Sequence, residues 1–165
     1  LIAIGKAHDQ LMRSHWKSAE LRHIVGAATT AYLTRARDQL SLAGDDVMVN
    51  PRAALTLALV IHELTTNAVK YGALSVPGGR IEAKWQIVRP SARSPSLQFE
   101  WIERGGPAVV APQRRGFGSR FIESSVASEL KGKAVLSFDP GGLRCKLEFP
   151  LDSDLIAVGA RRKAG

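Results

Sequence analysis

Glu63, Asn67 and Lys70 recur at spacings of four and three, and Tyr71 follows four residues after Asn67. On a helix that spacing places a carboxylate, an amide, an ammonium and a phenol on one face. The set suits a metal-bound phosphate. Magnesium prefers oxygen ligands and keeps several waters, so the Asn67 amide oxygen plus phosphate oxygens makes a workable shell. Glu63 could hold a water or accept a proton, Lys70 could neutralise phosphate charge, and Tyr71 could border a base or ribose. A solvated helix face with one i,i+4 polar pair would show the same residues.

A second candidate is Glu103. Leu97, Phe99 and Trp101 alternate as strand residues do, so Glu103 is the next side chain on their face and points inward. Ahead of Arg104-Gly105-Gly106-Pro107 it could accept a hydrogen bond from the exocyclic amine of adenine, with glycine letting the backbone approach. A solvated carboxylate before a Gly-Pro turn is the alternative.

The third candidate is the run Arg114-Arg115-Gly116-Phe117-Gly118-Ser119-Arg120, where small residues lead into a helix whose free N–H groups and dipole favour an anion. A Gly-x-Gly pair serves equally well as a plain loop-to-helix turn. The run is not a Walker loop, because Gly-Lys-Ser/Thr is missing. Nor is it a dinucleotide fingerprint, because a third glycine and a strand leading directly into it are missing.

These residues need elements to hold them. Leu1, Ile4, Ala7, His8, Leu11 and Met12 have helical spacing, and Ser18 could cap a second helix running through Tyr32. Gln39 to Leu42 and Val47 to Val49 read as two short strands around a turn at Gly44, Asp45 and Asp46. Asn50 followed by Pro51 is a strong helix start, and that helix should run to about Tyr71 with Gly72 ending it. Leu57, Ile61, Leu64 and Ala68 give it a core-facing stripe. Ile81, Ala83, Trp85 and Ile87 predict a half-buried strand, joined to the Leu97–Trp101 strand by the loop 89–95. After Gly116 the spacing predicts a helix with Phe117, Phe121, Ile122, Val126 and Leu130 on one face and Gly132 just past its end. A closing hairpin carries Ala134, Leu136 and Phe138, then Leu143, Cys145, Leu147 and Phe149, around Asp139-Pro140-Gly141-Gly142. The fold class is therefore α/β, a two-layer sandwich whose mixed, mostly antiparallel sheet is covered on one face by helices.

Length and charge narrow the function. With 165 residues, 45% of them hydrophobic, the chain supports one main domain and a small appendage. Its single cysteine, Cys145, excludes an internal disulfide and fits a reducing cytoplasm. No apolar run approaches the roughly 20 residues that span a bilayer, and no signal peptide opens the chain. A formal charge of +8 favours a polyanionic partner, yet no helix-turn-helix, RNA-recognition or zinc-finger spacing supports nucleic acid. The His and Cys spacing predicts no protein-bound zinc or iron, and no hydrolase triad is evident.

Taken in order, the segments 61–74, 101–107 and 115–123 resemble the HWE family of bacterial histidine kinases. The family's hallmark His matches His62 and its Trp-x-Glu matches Trp101 and Glu103; the likeness runs from about residue 1 to residue 151. It implies the Bergerat ATP-binding fold shared with gyrase-type ATPases, with ATP and Mg2+ as cofactors. It also implies Glu63, Asn67 and Lys70 as catalytic residues, with Asn67 on magnesium. The implied nucleotide site comprises His62, Glu63, Asn67, Lys70, Tyr71, Glu103, Gly105, Arg115, Gly116, Phe117, Gly118 and Ser119. Glu103 would read adenine where other histidine kinases use Asp. Gly105 matches the first glycine of its box, but Pro107 stands where the second usually lies. A short lid would run from there to Gly116, with Arg114 and Arg115 at its hinge as phosphate contacts or as solvated loop charges.

The resemblance further implies an expected division: 1–33 as the end of a dimerisation and phosphotransfer region with its connecting helix, 34–151 as the catalytic domain, and 152–165 as a tail. A His-Arg-x-x-Asn-like acceptor motif is absent from the sequence, and helix packing is the expected role of His8, His15 and His23. For His62 the expectation is a structural or supporting role beside the site. Implied partners are a response regulator receiver domain and a second copy of the full-length protein. Two rivals share these residues: a serine kinase of the same superfamily acting on an anti-anti-sigma factor, and a degenerate docking or phosphorelay module that does not use ATP. Trp101 and Glu103 speak against the first, and the joint presence of Glu63, Asn67, Lys70 and the glycine boxes against the second.

Overall fold

The computed structural model describes residues 19–33, 36–89, 94–109 and 116–151. In chain order the elements are β1 (Ala19–Glu20), α1 (Leu21–Thr30), α2 (Ala36–Gln39), β2 (Leu40–Gly44), β3 (Met48–Val49) and α3 (Pro51–Lys70). A 3-10 turn at Ala73–Ser75 follows, then β4 (Arg80–Val88), β5 (Ser96–Arg104), α4 (Phe117–Glu129), β6 (Lys133–Asp139) and β7 (Gly142–Pro150).

Asn50 caps α3 as its sequence predicts: its side chain accepts the Ala53 N–H at 2.8 Å, and Pro51 takes a first-turn position that has no hydrogen bond to lose. Leu57, Ile61, Leu64 and Ala68 lie fully buried along the stripe that faces the sheet. The sheet has five strands in the order β2-β4-β5-β7-β6, antiparallel except for the parallel pair of β2 and β4. Its inner face, including Ile81, Ala83, Leu97, Phe99, Trp101, Cys145, Leu147 and Phe149, joins the helical stripe in one core. The outer face is charged. There Glu100 sits 3.5 Å from Lys84, 3.5 Å from Arg144 and 3.6 Å from Lys146, across three strands. Helices therefore cover one face and an ion-pair network occupies the other, the two-layer arrangement that alternation along the strands predicts.

Three local expectations change. The two short strands around Gly44 exist, but they do not pair with each other. β2 joins the main sheet beside β4, whereas β3 pairs with β1 through Ala19 opposite Val49 and Glu20 opposite Met48. A turn-like sequence does not choose a ladder partner; the available edges do. That same β1 pairing delays α1, whose N-cap is Glu20 without a side-chain cap bond, so the helix does not start from Ser18. Phe117 is 86% exposed and leaves the buried face of α4 to Ile122, Val126 and Leu130. At the other end of α4 the left-handed residue is Lys131 (φ 54), while the Gly132 N–H closes the turn onto the Val126 carbonyl at 3.1 Å.

The first helix expected over residues 1–12, together with Ser18, His8, His15, the hinge pair Arg114 and Arg115, and the tail 152–165, lies outside the described residues.

Candidate functional site

Regular helix geometry delivers the first part of the site. Glu63 and Asn67 are one turn apart on α3, and the Asn67 amide nitrogen donates to Glu63 Oε1 at 3.1 Å. With its nitrogen so engaged, the amide turns its oxygen away from Glu63, which suits it to a hard cation. Both side chains are half-buried, whereas Lys70 and Tyr71 at the helix end are exposed, Tyr71 at 74%. The helix closes through Tyr71 and Gly72 N–H groups that both reach the Asn67 carbonyl, at 2.8 and 3.2 Å.

Gly118 links the second part to the first. A Cβ placed on Gly118 would overlap Glu63 Oε1 and lie 3.3 Å from the Asn67 amide nitrogen. The first turn of α4 therefore rests its backbone on the polar face of α3, an approach that only glycine permits. Gly116 is the N-cap, extended and without a side-chain cap bond. The first-turn N–H groups of α4 thus stay available to an anion beside Glu63 and Asn67. Ser119 in that turn is half-buried, and Phe117 stacks on Phe121 at 6.5 Å between ring centroids, its other face open to solvent.

Glu103 occupies the inner face of β5, as alternation predicts, and is 2% exposed. Its Oε2 accepts the Ala73 backbone N–H at 2.8 Å and its Oε1 accepts the Trp101 indole N–H at 3.2 Å. Burial raises the carboxyl above the usual range for Glu, and these two donors pull against it. Each oxygen keeps a further lone pair, so the group can still accept from a ligand. Around it the chain comes very close to itself. A Cβ on Gly72 would overlap Glu103 Oε2, and a Cβ on Gly106 would lie 2.7 Å from the Ala73 Cα. Gly105 has φ 71, the left-handed region that lets β5 turn back over residues 78 and 79.

His62 points elsewhere. It is half-buried, and its ring meets Tyr32 just past α1 at 5.5 Å in an edge-on arrangement, with the Tyr32 hydroxyl 3.3 Å from Nδ1. The structure thus gathers Glu63, Asn67 and Gly118 into one cluster, and Glu103 with Gly105 near the C-terminal end of α3. It sets His62 against Tyr32 instead. Arg115 falls outside the described residues. Sequence reasoning gave Gly72 only a helix-ending role and passed over Ala73; no side-chain pattern advertises a backbone N–H as a carboxylate's partner. Tyr32 likewise carried no signal, because its contact bridges two elements far apart in the chain.

A family model for the HWE histidine kinase matches residues 1–46. The blue-light-activated histidine kinases of Brucella anthropi and Brucella ovis are each 34% identical to the chain over 156 residues, which is 94% of the chain and 32% of each of those proteins. The chain therefore spans about a third of the length of these relatives. Among solved structures, the histidine kinase domain of Erythrobacter litoralis EL346 blue-light activated histidine kinase superposes with a TM-score of 0.60 at 19% identity, covering 81% of this chain and 60% of that one. The catalytic domain of histidine kinase ThkA gives 0.59 at 14% identity, covering 81% and 94%. The fold is that of a histidine kinase catalytic domain, and in sequence the chain is similar to the HWE histidine kinase family over residues 1–46 and to the blue-light-activated histidine kinases over nearly its whole length.

Proposed function

We propose that residues 34–151 bind ATP with Mg2+ and present it for transfer of the γ-phosphoryl group to a histidine, from which a response regulator receives it. The observation that carries this reading is the seating of the α4 N-terminus, through Gly118, on the Glu63–Asn67 pair. That contact puts helix N–H donors, an amide oxygen and a carboxylate at one place, which is the donor set a magnesium-bound polyphosphate requires.

The ion, when bound with ATP, neutralises phosphate charge. The chain's own part is positioning. Asn67 turns its amide oxygen toward the ion, and Glu63 holds that amide through its nitrogen. Lys70 and the first-turn N–H groups of α4 balance phosphate charge, while exposed Tyr71 flanks the nucleotide. At the other end Glu103 accepts from the adenine amine through the lone pairs that Ala73 and Trp101 leave free. In this reading residues 1–33 end a dimerisation region whose acceptor histidine lies on a helix outside this chain, 152–165 form a tail, and the full-length protein works as a homodimer. Among the described residues no helix is long and apolar enough to cross a membrane.

The test is calorimetric titration of the chain with the β,γ-imido analogue of ATP, in magnesium and again in chelator. Binding that needs magnesium supports the reading. A folded chain that binds nothing in either buffer overturns it.

A further inference from the structure

Glu103 can recognise an adenine amine selectively only if its acceptor oxygens are held in one orientation, and three neighbours share that task. Gly72 leaves room for Oε2, since any Cβ there would overlap it. The Ala73 N–H fixes Oε2 at 2.8 Å. Trp101 fixes Oε1 at 3.2 Å through its indole N–H. The two side chains can meet because Trp101 and Glu103 are two apart on one strand and so share its inner face.

Trp101 is an unusual choice for packing alone. It is fully buried in the centre of the sheet, between Ala83 on β4 and Cys145 on β7. A phenylalanine would fill much of that space without bringing a donor that must find a partner. The partner it finds is the one buried carboxylate among the described residues. A carboxylate left there with a single donor would be poorly compensated for its lost water.

We propose that Trp101 is a positioning residue for nucleotide selection. Its indole N–H holds the Glu103 carboxyl aimed, so that adenine recognition depends on a side chain that does not itself touch the base. This rests on the reading of Glu103 as the adenine acceptor. It predicts that Trp101 and Glu103 act as one unit, with no separate contribution from the indole once the carboxylate is gone.

The experiment compares the affinity of the chain for the β,γ-imido analogues of ATP and of inosine triphosphate, which replaces the amine with a carbonyl. Wild type, Trp101→Phe, Glu103→Ala and the double variant are titrated in magnesium. Trp101→Phe should weaken the adenine analogue by about tenfold and leave the inosine analogue nearly unchanged. Glu103→Ala should erase the preference, and adding Trp101→Phe to it should change the preference no further. A packing defect would weaken both analogues together. If Trp101→Phe keeps the wild-type preference while Glu103→Ala loses it, the role of Trp101 is overturned and the adenine reading stands. If Glu103→Ala keeps the preference, both fall.

A second measurement leaves position 101 intact, in case Trp101→Phe does not fold. The assigned indole N–H resonance of Trp101 should move when the adenine analogue is added and stay still with the inosine analogue. A resonance that ignores both, in a chain that binds the adenine analogue, overturns the proposal.

Discussion

The two ends of the candidate site are built by different means. At the proposed phosphate end, Glu63, Asn67, Lys70 and Tyr71 project from a regular helix, half-buried or exposed, and the second contributor is another helix's N-terminus. At the proposed adenine end, Glu103 is buried and its surroundings are mostly backbone: Ala73 N–H, Gly72 and Gly106 pressed together, and Gly105 in a left-handed turn. The contrast teaches that charge can be handled by side chains that remain partly hydrated, whereas discrimination of one neutral amine needs a dry acceptor with a fixed direction.

The sharpest way to break that comparison is Asn67→Ala. If the amide oxygen holds the metal, magnesium-dependent binding of the ATP analogue should fall by about 100-fold or more, judged against the 10–100-fold typical of groups one step removed from a metal. Folding should survive, because an i,i+4 pair of this kind contributes only about 0.2–0.5 kcal/mol to a helix. Calorimetry and a thermal melt on the same sample check both halves, and unchanged affinity would remove Asn67 from the site.

Gly118→Ala probes the contact between the two helices. The added methyl meets Glu63, so α4 must shift, at a cost of about 1–3 kcal/mol typical of overpacking. For a chain of this size that lowers the melting temperature by roughly 3–10 °C. Analogue affinity should drop with it, and recovery of the melting temperature in Gly118→Ala combined with Glu63→Ala would locate the cause in that overlap.

The smallest effect belongs to Glu103 and is read from pH. Its folded-state pKa lies above the ordinary 4.5, so the folded chain binds this proton more tightly than the unfolded chain does. The resulting stability is fully present below 4.5 and is lost as pH rises through the raised value. The melting temperature of wild type should therefore decline relative to Glu103→Gln across that window. Affinity for the ATP analogue should climb over the same range, because an ionised carboxylate is the stronger acceptor for the adenine amine. Parallel pH curves for the two chains would show that burial does not set the titration of this group.

How much of this was legible beforehand follows the same division. The α3 cap at Asn50, its buried stripe, the alternating strands and the closing hairpin all depend on near neighbours, so periodicity found them. Spacing groups Phe117 with Phe121, Ile122 and Val126, yet it is exposed, because spacing marks a face but not its edge: at the first turn of α4 that face runs past the end of the core. The pairing of β3 with β1, like the contact of Tyr32 with His62, joins segments whose meeting no local pattern encodes.

By itself, then, the sequence determined α3, α4 and the strands β4 to β7, the polar face of α3 and the inward direction of Glu103, because side-chain direction along a helix or strand follows from period alone. Tertiary structure alone decided that Gly118 would sit on Glu63 and that the Ala73 N–H would hold Oε2 of Glu103. Those are contacts of backbone with side chain between distant segments, and only the packing of the helices against the sheet fixes where such segments meet.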